Sequence, residues 1–158
     1  MDKAVILNKM RHLCSRRECP PSEIRRKIER CGREGEAVGE ELIQEILASL
    51  TEEGYLDEAR YASAFVRERS ALTGWGAAKI AAALRSRGIS EEAVREALEE
   101  AGGEDAERRL ETLLRNKWQS LRNEGDGNLR RAKLFRYALG RGYSYDQILK
   151  HYDNIRTT

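Results

Sequence analysis

Few side chains in this chain are suited to metal or acid–base chemistry. Histidine occurs only at His12 and His151, and the thiols are Cys14, Cys19 and Cys31. Structural zinc sites draw Cys and His in closely spaced pairs, and His12, Cys14, Cys19 and Cys31 do not form two such pairs. A metal is therefore not expected. No Gly-x-x-x-x-Gly-Lys phosphate loop is present, and Gly74-Trp75-Gly76 lacks both the preceding strand and the third glycine of a dinucleotide fingerprint. With carboxylates gathered mainly on acidic helix faces, no catalytic constellation stands out. Neither an enzyme nor a cofactor is expected.

Cationic charge is the larger chemical resource. The chain carries 29 Lys+Arg against 27 Asp+Glu, a net +2 that conceals strong segregation. Basic and acidic residues number 10 and 3 over 3–33, 0 and 8 over 36–58, 6 and 1 over 60–87, 1 and 8 over 90–107, and 10 and 3 over 108–141. Two readings fit this alternation. Oppositely charged solvated faces neutralise one another within the molecule, or the basic helices present a surface to an acidic polymer or partner.

The elements that must position these charges are helical. Of 158 residues, 32 are Leu, Ile, Val or Phe, about a fifth, so periodicity has to organise a lean core. Eighteen alanines, two prolines and few β-branched residues favour helices and exclude a large sheet. Apolar spacing and stop signals predict helices over 3–17, 20–31, 39–53, 57–72, 76–87, 90–101, 104–122, 128–140 and 144–155. Gly88 and Gly142 stand where a left-handed helix end suits a residue without Cβ, and Ser90 and Ser144 stand at the next N-caps, the latter with capping-box spacing to Gln147. The apolar run Ala4–Leu7 is too short for a membrane span or the core of a signal peptide, so a cytoplasmic protein with reduced cysteines is expected.

Those stops expose an internal repeat. Ile80, Leu84, Gly88, Ile89, Ser90 and Val94 match Leu134, Ala138, Gly142, Tyr143, Ser144 and Ile148 at constant spacing, and Ile24, Ile28 and Gly32 repeat the first three positions upstream. An insertion within Arg33 to Gly39 brings Ile43, Ile46 and Leu47 into register with Val94, Ala97 and Leu98. The chain thus divides into three three-helix units over 3–54, 57–102 and 104–155.

Individual positions follow from the pattern. Asp57 is placed to cap the helix after it, and Phe65, Val66 and Trp118 lie on apolar stripes. Lys79 and Lys133 occupy equivalent places near helix N-termini, where a cation gains nothing from the helix dipole, whereas Arg87 and Arg141 sit at C-terminal ends that favour one. Trp75, between two glycines at the start of a helix, suits either packing between repeats or stacking on a partner.

The strongest linear signal is Gly54-Tyr55-Leu56-Asp57-Glu58-Ala59-Arg60-Tyr61-Ala62, with Phe65-Val66, Arg69, Gly74-Trp75-Gly76-Ala77-Ala78-Lys79-Ile80, Leu84 and Arg87-Gly88-Ile89. It resembles the central motif of the RecX family, the regulators of the RecA recombinase. The segment Arg16–Ile28 is similar to the family's first repeat, with Cys19 where a capping serine is usual, and Glu58 stands where a second Asp is frequent. The resemblance implies an all-α fold, an elongated curved array of three tandem three-helix repeats. It further implies binding of RecA nucleoprotein filaments and inhibition of strand exchange, ATP hydrolysis and co-protease action. Beside it stands the reading of an autonomous DNA-binding helical module. The expected contact residues are Arg69, Trp75, Lys79, Arg87, Arg131, Lys133, Arg136 and Arg141, on a monomer that meets the RecA filament and, directly and weakly, single- or double-stranded DNA.

Overall fold

The computed structural model describes residues 2–32 and 35–157; Arg33 and Glu34, part of the expected insertion, lie outside the described residues. These form nine helices: α1 (Lys3–Arg16), α2 (Pro21–Glu29), α3 (Glu40–Glu52), α4 (Glu58–Leu72), α5 (Ala77–Ser86), α6 (Glu91–Ala101), α7 (Glu104–Ser120), α8 (Gly127–Gly140) and α9 (Tyr145–Arg156). Every helix begins and ends within about two residues of the stretch read from the sequence. No described helix is long and apolar enough to cross a membrane.

The termini form where local chemistry dictates. Asp57 accepts the Arg60 N–H at 3.0 Å, Ser90 accepts the Ala93 N–H at 3.3 Å, and Ser144 and Gln147 complete a reciprocal capping box. Gly88 and Gly142 adopt φ of +79° and +99° as α5 and α8 end. At α2 the expected capping position behaves differently. The N-cap is Pro20, which supplies no side-chain acceptor, and Pro21 begins the helix with a backbone nitrogen that needs no partner. Cys19 instead turns inward, 2% exposed.

The chain packs into two compact units, Met1–Ala62 with Leu84–Val94, and Ser63–Ala83 with Arg95–Thr158. In the first, α1, α2 and α3 bury Ile6, Leu7, Met10, Cys19, Ile24, Ile28, Ile43, Ile46 and Leu50, with Leu56 beside them. Each isoleucine or leucine taken from water stabilises the unit by about 1.5–3 kcal/mol. Ion pairs edge this core: Arg11 with Glu53, Arg17 with Glu23, Arg25 with Glu40, and Arg60 with Glu18. The Arg17 guanidinium holds the Glu23 carboxyl below the usual carboxylate range by hydrogen bonding.

In the second unit α7, α8 and α9 enclose Leu110, Leu114, Trp118, Leu134, Phe135, Ala138, Ile148 and Ile155. Tyr152 meets Trp118 edge-on at 5.7 Å between centroids and Phe135 at 5.5 Å. The Arg130 guanidinium lies 3.7 Å from the Trp118 ring centroid and donates to the Trp118 carbonyl at 2.7 Å, so this half-buried cation covers the edge of the core.

Candidate partner interface

Seven of the eight residues expected to meet a partner lie in the second unit; the other, Arg87, is half-buried in the first. Within the second unit the segment 73–79 is bound to the turn 140–143. The Gly76 N–H donates to the Arg141 carbonyl at 2.6 Å and the Ala78 N–H to the Gly142 carbonyl at 3.1 Å, so backbone carbonyls do at α5 what a side-chain cap does elsewhere. Arg141 donates to the Thr73 carbonyl at 2.7 Å, Tyr143 to the Gly74 carbonyl at 3.0 Å, and Lys79 to the Gly140 carbonyl at 3.3 Å. Burial raises the Tyr143 phenol above its ordinary pKa.

Trp75 is half-buried against this joint. Its ring meets Phe65 edge-on at 6.5 Å, with Lys79 Nζ 4.6 Å and the Arg69 guanidinium 5.1 Å from its centroid. Arg69 also lies 5.0 Å from the Phe65 centroid. Arg69, Trp75, Lys79 and Arg141 are therefore brought together, chiefly by internal contacts.

The positions repeated in α8 are used otherwise. Lys133 pairs with Glu124 at 2.7 Å and, with the Asp126 N–H, holds that carboxyl below its ordinary range. Arg131 donates to the Tyr145 hydroxyl at 3.0 Å and lies over the Phe135 ring. Arg136 is exposed and forms no ion pair among the described residues.

Beside the joint opens a cleft of about 620 Å³ between the end of α4 and one face of α7. Arg108, Arg109 and Lys117 line it with Ser70, Thr112, Asn116, Ser120 and Tyr137, and no carboxylate is among its lining residues. Lys117 Nζ and the Arg141 guanidinium lie 4.8 Å and 5.2 Å from the Tyr137 centroid. Such a surface can neutralise phosphates, hydrogen-bond their oxygens and offer an aromatic edge to a base. Sequence reasoning missed Arg109, Lys117 and Tyr137. The available signal for the first two was a second stripe on α7, Arg109, Leu113 and Lys117, each one position before the buried Leu110, Leu114 and Trp118.

The cysteines are free thiols, and burial pushes the Cys19 thiol up to about 12 and the Cys14 thiol above its ordinary value. Both are protonated near neutral pH, a state poor in nucleophilicity and metal affinity.

Residues 57–98 match the second three-helix domain of RecX, and residues 104–150 match the third. A Regulatory protein RecX from Pseudomonas putida is 36% identical over 136 residues, spanning 86% of this chain and 81% of that protein. Another from Ectopseudomonas mendocina is 36% identical over 136 residues, spanning 86% and 85%. Among solved structures, RecX from Lactobacillus salivarius superposes with a TM-score of 0.85 at 19% identity, covering 99% of this chain and 97% of that one. A second regulatory protein RecX superposes at 0.83 and 22% identity, covering 96% and 71%. These two share the all-α three-helix-repeat fold.

Proposed function

The chain belongs to the RecX family of regulatory proteins, and from that membership we propose that it binds RecA nucleoprotein filaments and inhibits their recombinase, ATPase and co-protease activities in DNA repair. The observation that carries this reading is similarity to RecX regulatory proteins along 86% of the chain, including the repeats that carry the basic helices. The protein does no chemistry of its own. Its work is differential binding, and an inhibitor of this kind acts by stabilising a filament state that turns over slowly, or by competing with protomers for their neighbours.

The cationic cleft of the second unit supports the electrostatic half of the reading. Arg109 and Lys117 face phosphate, the joint formed by Arg69, Trp75, Lys79 and Arg141 holds the cleft wall, and Arg131, Lys133 and Arg136 of the same unit add to the field that draws in a polyanion. A second reading, autonomous DNA binding, draws on the same carboxylate-free lining.

One experiment separates them. The protein is added to RecA, ATP and single-stranded DNA while ATP hydrolysis is followed, with DNA binding measured in parallel without RecA. Inhibition at concentrations where DNA alone is not bound supports the filament reading. Unchanged hydrolysis, together with tight and strongly salt-dependent DNA binding, supports the other.

A further inference from the structure

Among the described residues six large hydrophobic side chains are conspicuously exposed, and four of them, Leu129, Leu139, Tyr145 and Leu149, lie on α8 and α9. Their placement is ordered. Leu129, Ala132, Arg136 and Leu139 recur at intervals of three and four residues, which sets them in one stripe on the side of α8 opposite Leu134 and Ala138 in the core. Phe135 packs on Tyr145 at 5.2 Å, tying the flank of this stripe to α9. Leu139 lies one turn beyond Phe135 and Leu149 one turn beyond Tyr145, so both exposed leucines flank the Phe135–Tyr145 contact that joins the two helices. A helix apolar on its core side needs no apolar residues on the other. Here it has them.

Charge identifies what fits the strip. α8 carries Arg130, Arg131, Lys133 and Arg136 and no carboxylate along its whole length. Arg130 and Lys133 are engaged with the Trp118 carbonyl and Glu124, whereas Arg136 projects into solvent from the middle of the leucine stripe. A second copy packed α8 to α8 would bring two carboxylate-free cationic helices together, which like-charge repulsion opposes, and on α9 only Asp146 and Asp153, the latter paired with Arg156, offset them. Nucleic acid would satisfy Arg136 but leave Leu139, Tyr145 and Leu149 against phosphate.

We propose that the α8–α9 strip is a docking surface for an acidic amphipathic helix of a partner protein, with Leu129, Leu139 and Leu149 packing on its apolar side chains and Arg136 taking a carboxylate set among them. An arginine ringed by apolar contacts that exclude water is the composition of an interface hot spot. The identity of the protein bearing that helix rests on the reading of the chain as a RecA regulator. The strip and the cationic cleft then divide the labour, the strip gripping protein and the cleft facing phosphate.

The test compares the full-length parent with Leu139→Gln/Leu149→Gln and with Arg136→Glu, each checked for folding by circular dichroism. Binding is measured to immobilised RecA without DNA and, separately, to a single-stranded oligonucleotide, and inhibition of RecA-catalysed ATP hydrolysis is followed. Both variants are expected to lose about tenfold or more in affinity for RecA. The leucine pair should bind the oligonucleotide within about twofold of the parent, since neither residue lines the cleft. A parent that inhibits RecA and a folded leucine-pair variant that inhibits equally would overturn the docking strip while leaving the proposed function standing. Loss of oligonucleotide binding in step with RecA binding would make the strip a nucleic-acid surface and likewise overturn it. A parent that neither binds nor inhibits RecA removes the functional reading and, with it, this partner.

Discussion

Gly76 and Gly142 meet backbone to backbone. A Cβ on Gly76 would come within 2.6 Å of the Gly142 carbonyl carbon and oxygen, and one on Gly142 would collide with Lys79 at its Cβ and, at 2.7 Å, its backbone nitrogen. Gly142 also sits at φ +99°. The approach leaves the Gly76 and Ala78 N–H groups facing the Arg141 and Gly142 carbonyls. The two glycines thus allow the turn after α8 to cap α5, and their neighbours Lys79 and Arg141 are drawn into internal hydrogen bonds as a consequence.

Substitutions should rank accordingly. Gly76→Ala and Gly142→Ala are each expected to destabilise by about 1–3 kcal/mol, as overpacking against fixed backbone does. Gly88→Ala meets only Ser22 at 3.5 Å, so its cost is confined to the left-handed φ, of order 1 kcal/mol. Chemical denaturation of the three variants measures the order. Equal costs at Gly76 and Gly88 would contradict it.

Removing the cap of α9 tests a local contribution. Ser144→Ala deletes the acceptor for the Gln147 N–H and should cost about 0.5–2 kcal/mol, visible as a lower midpoint in urea with an unchanged slope.

The Arg17–Glu23 pair predicts acid sensitivity in the first unit. Because the folded carboxyl titrates below its unfolded value, its contribution is present above the ordinary glutamate range, near 4.5, and is lost as pH falls from there through the depressed folded value. Glu23→Gln removes the pair at every pH. The parent and variant melting temperatures should therefore differ at neutral pH and converge only once the pH has fallen below the depressed folded value.

For the cleft, Arg109→Glu with Lys117→Glu is expected to weaken both oligonucleotide binding and inhibition of RecA-catalysed hydrolysis. The slope of log K against log salt should fall by about one for each phosphate contact removed. Filter binding across a salt series reads this directly, and an unaltered slope in a folded variant would place the phosphate contacts elsewhere.

Buried Cys19, with its thiol pushed up to about 12, should resist alkylation by iodoacetamide at neutral pH in the native protein and react once it is unfolded. Peptide mass mapping after brief labelling shows which thiols react first.

Helix positions were legible because their signals are local. The capping acceptors Asp57, Ser90 and Ser144, the glycine stops at Gly88 and Gly142, and stripes such as Leu110–Leu114–Trp118 act within one or two turns, so the residues that determine each element lie inside or beside it. The alternation of basic and acidic blocks was equally plain. What each cation does with its charge was not. Lys79 and Lys133 hold equivalent places in the repeat, yet one reaches the Gly140 carbonyl and the other Glu124, and Arg130 closes over Trp118 while Arg136 stays in water. Those assignments depend on groups distant in sequence that packing brings within hydrogen-bond reach. The cleft between α4 and α7 and the apolar strip on α8 and α9 arise in the same way, since a surface shared by two elements is set by how they pack and not by the periodicity of either.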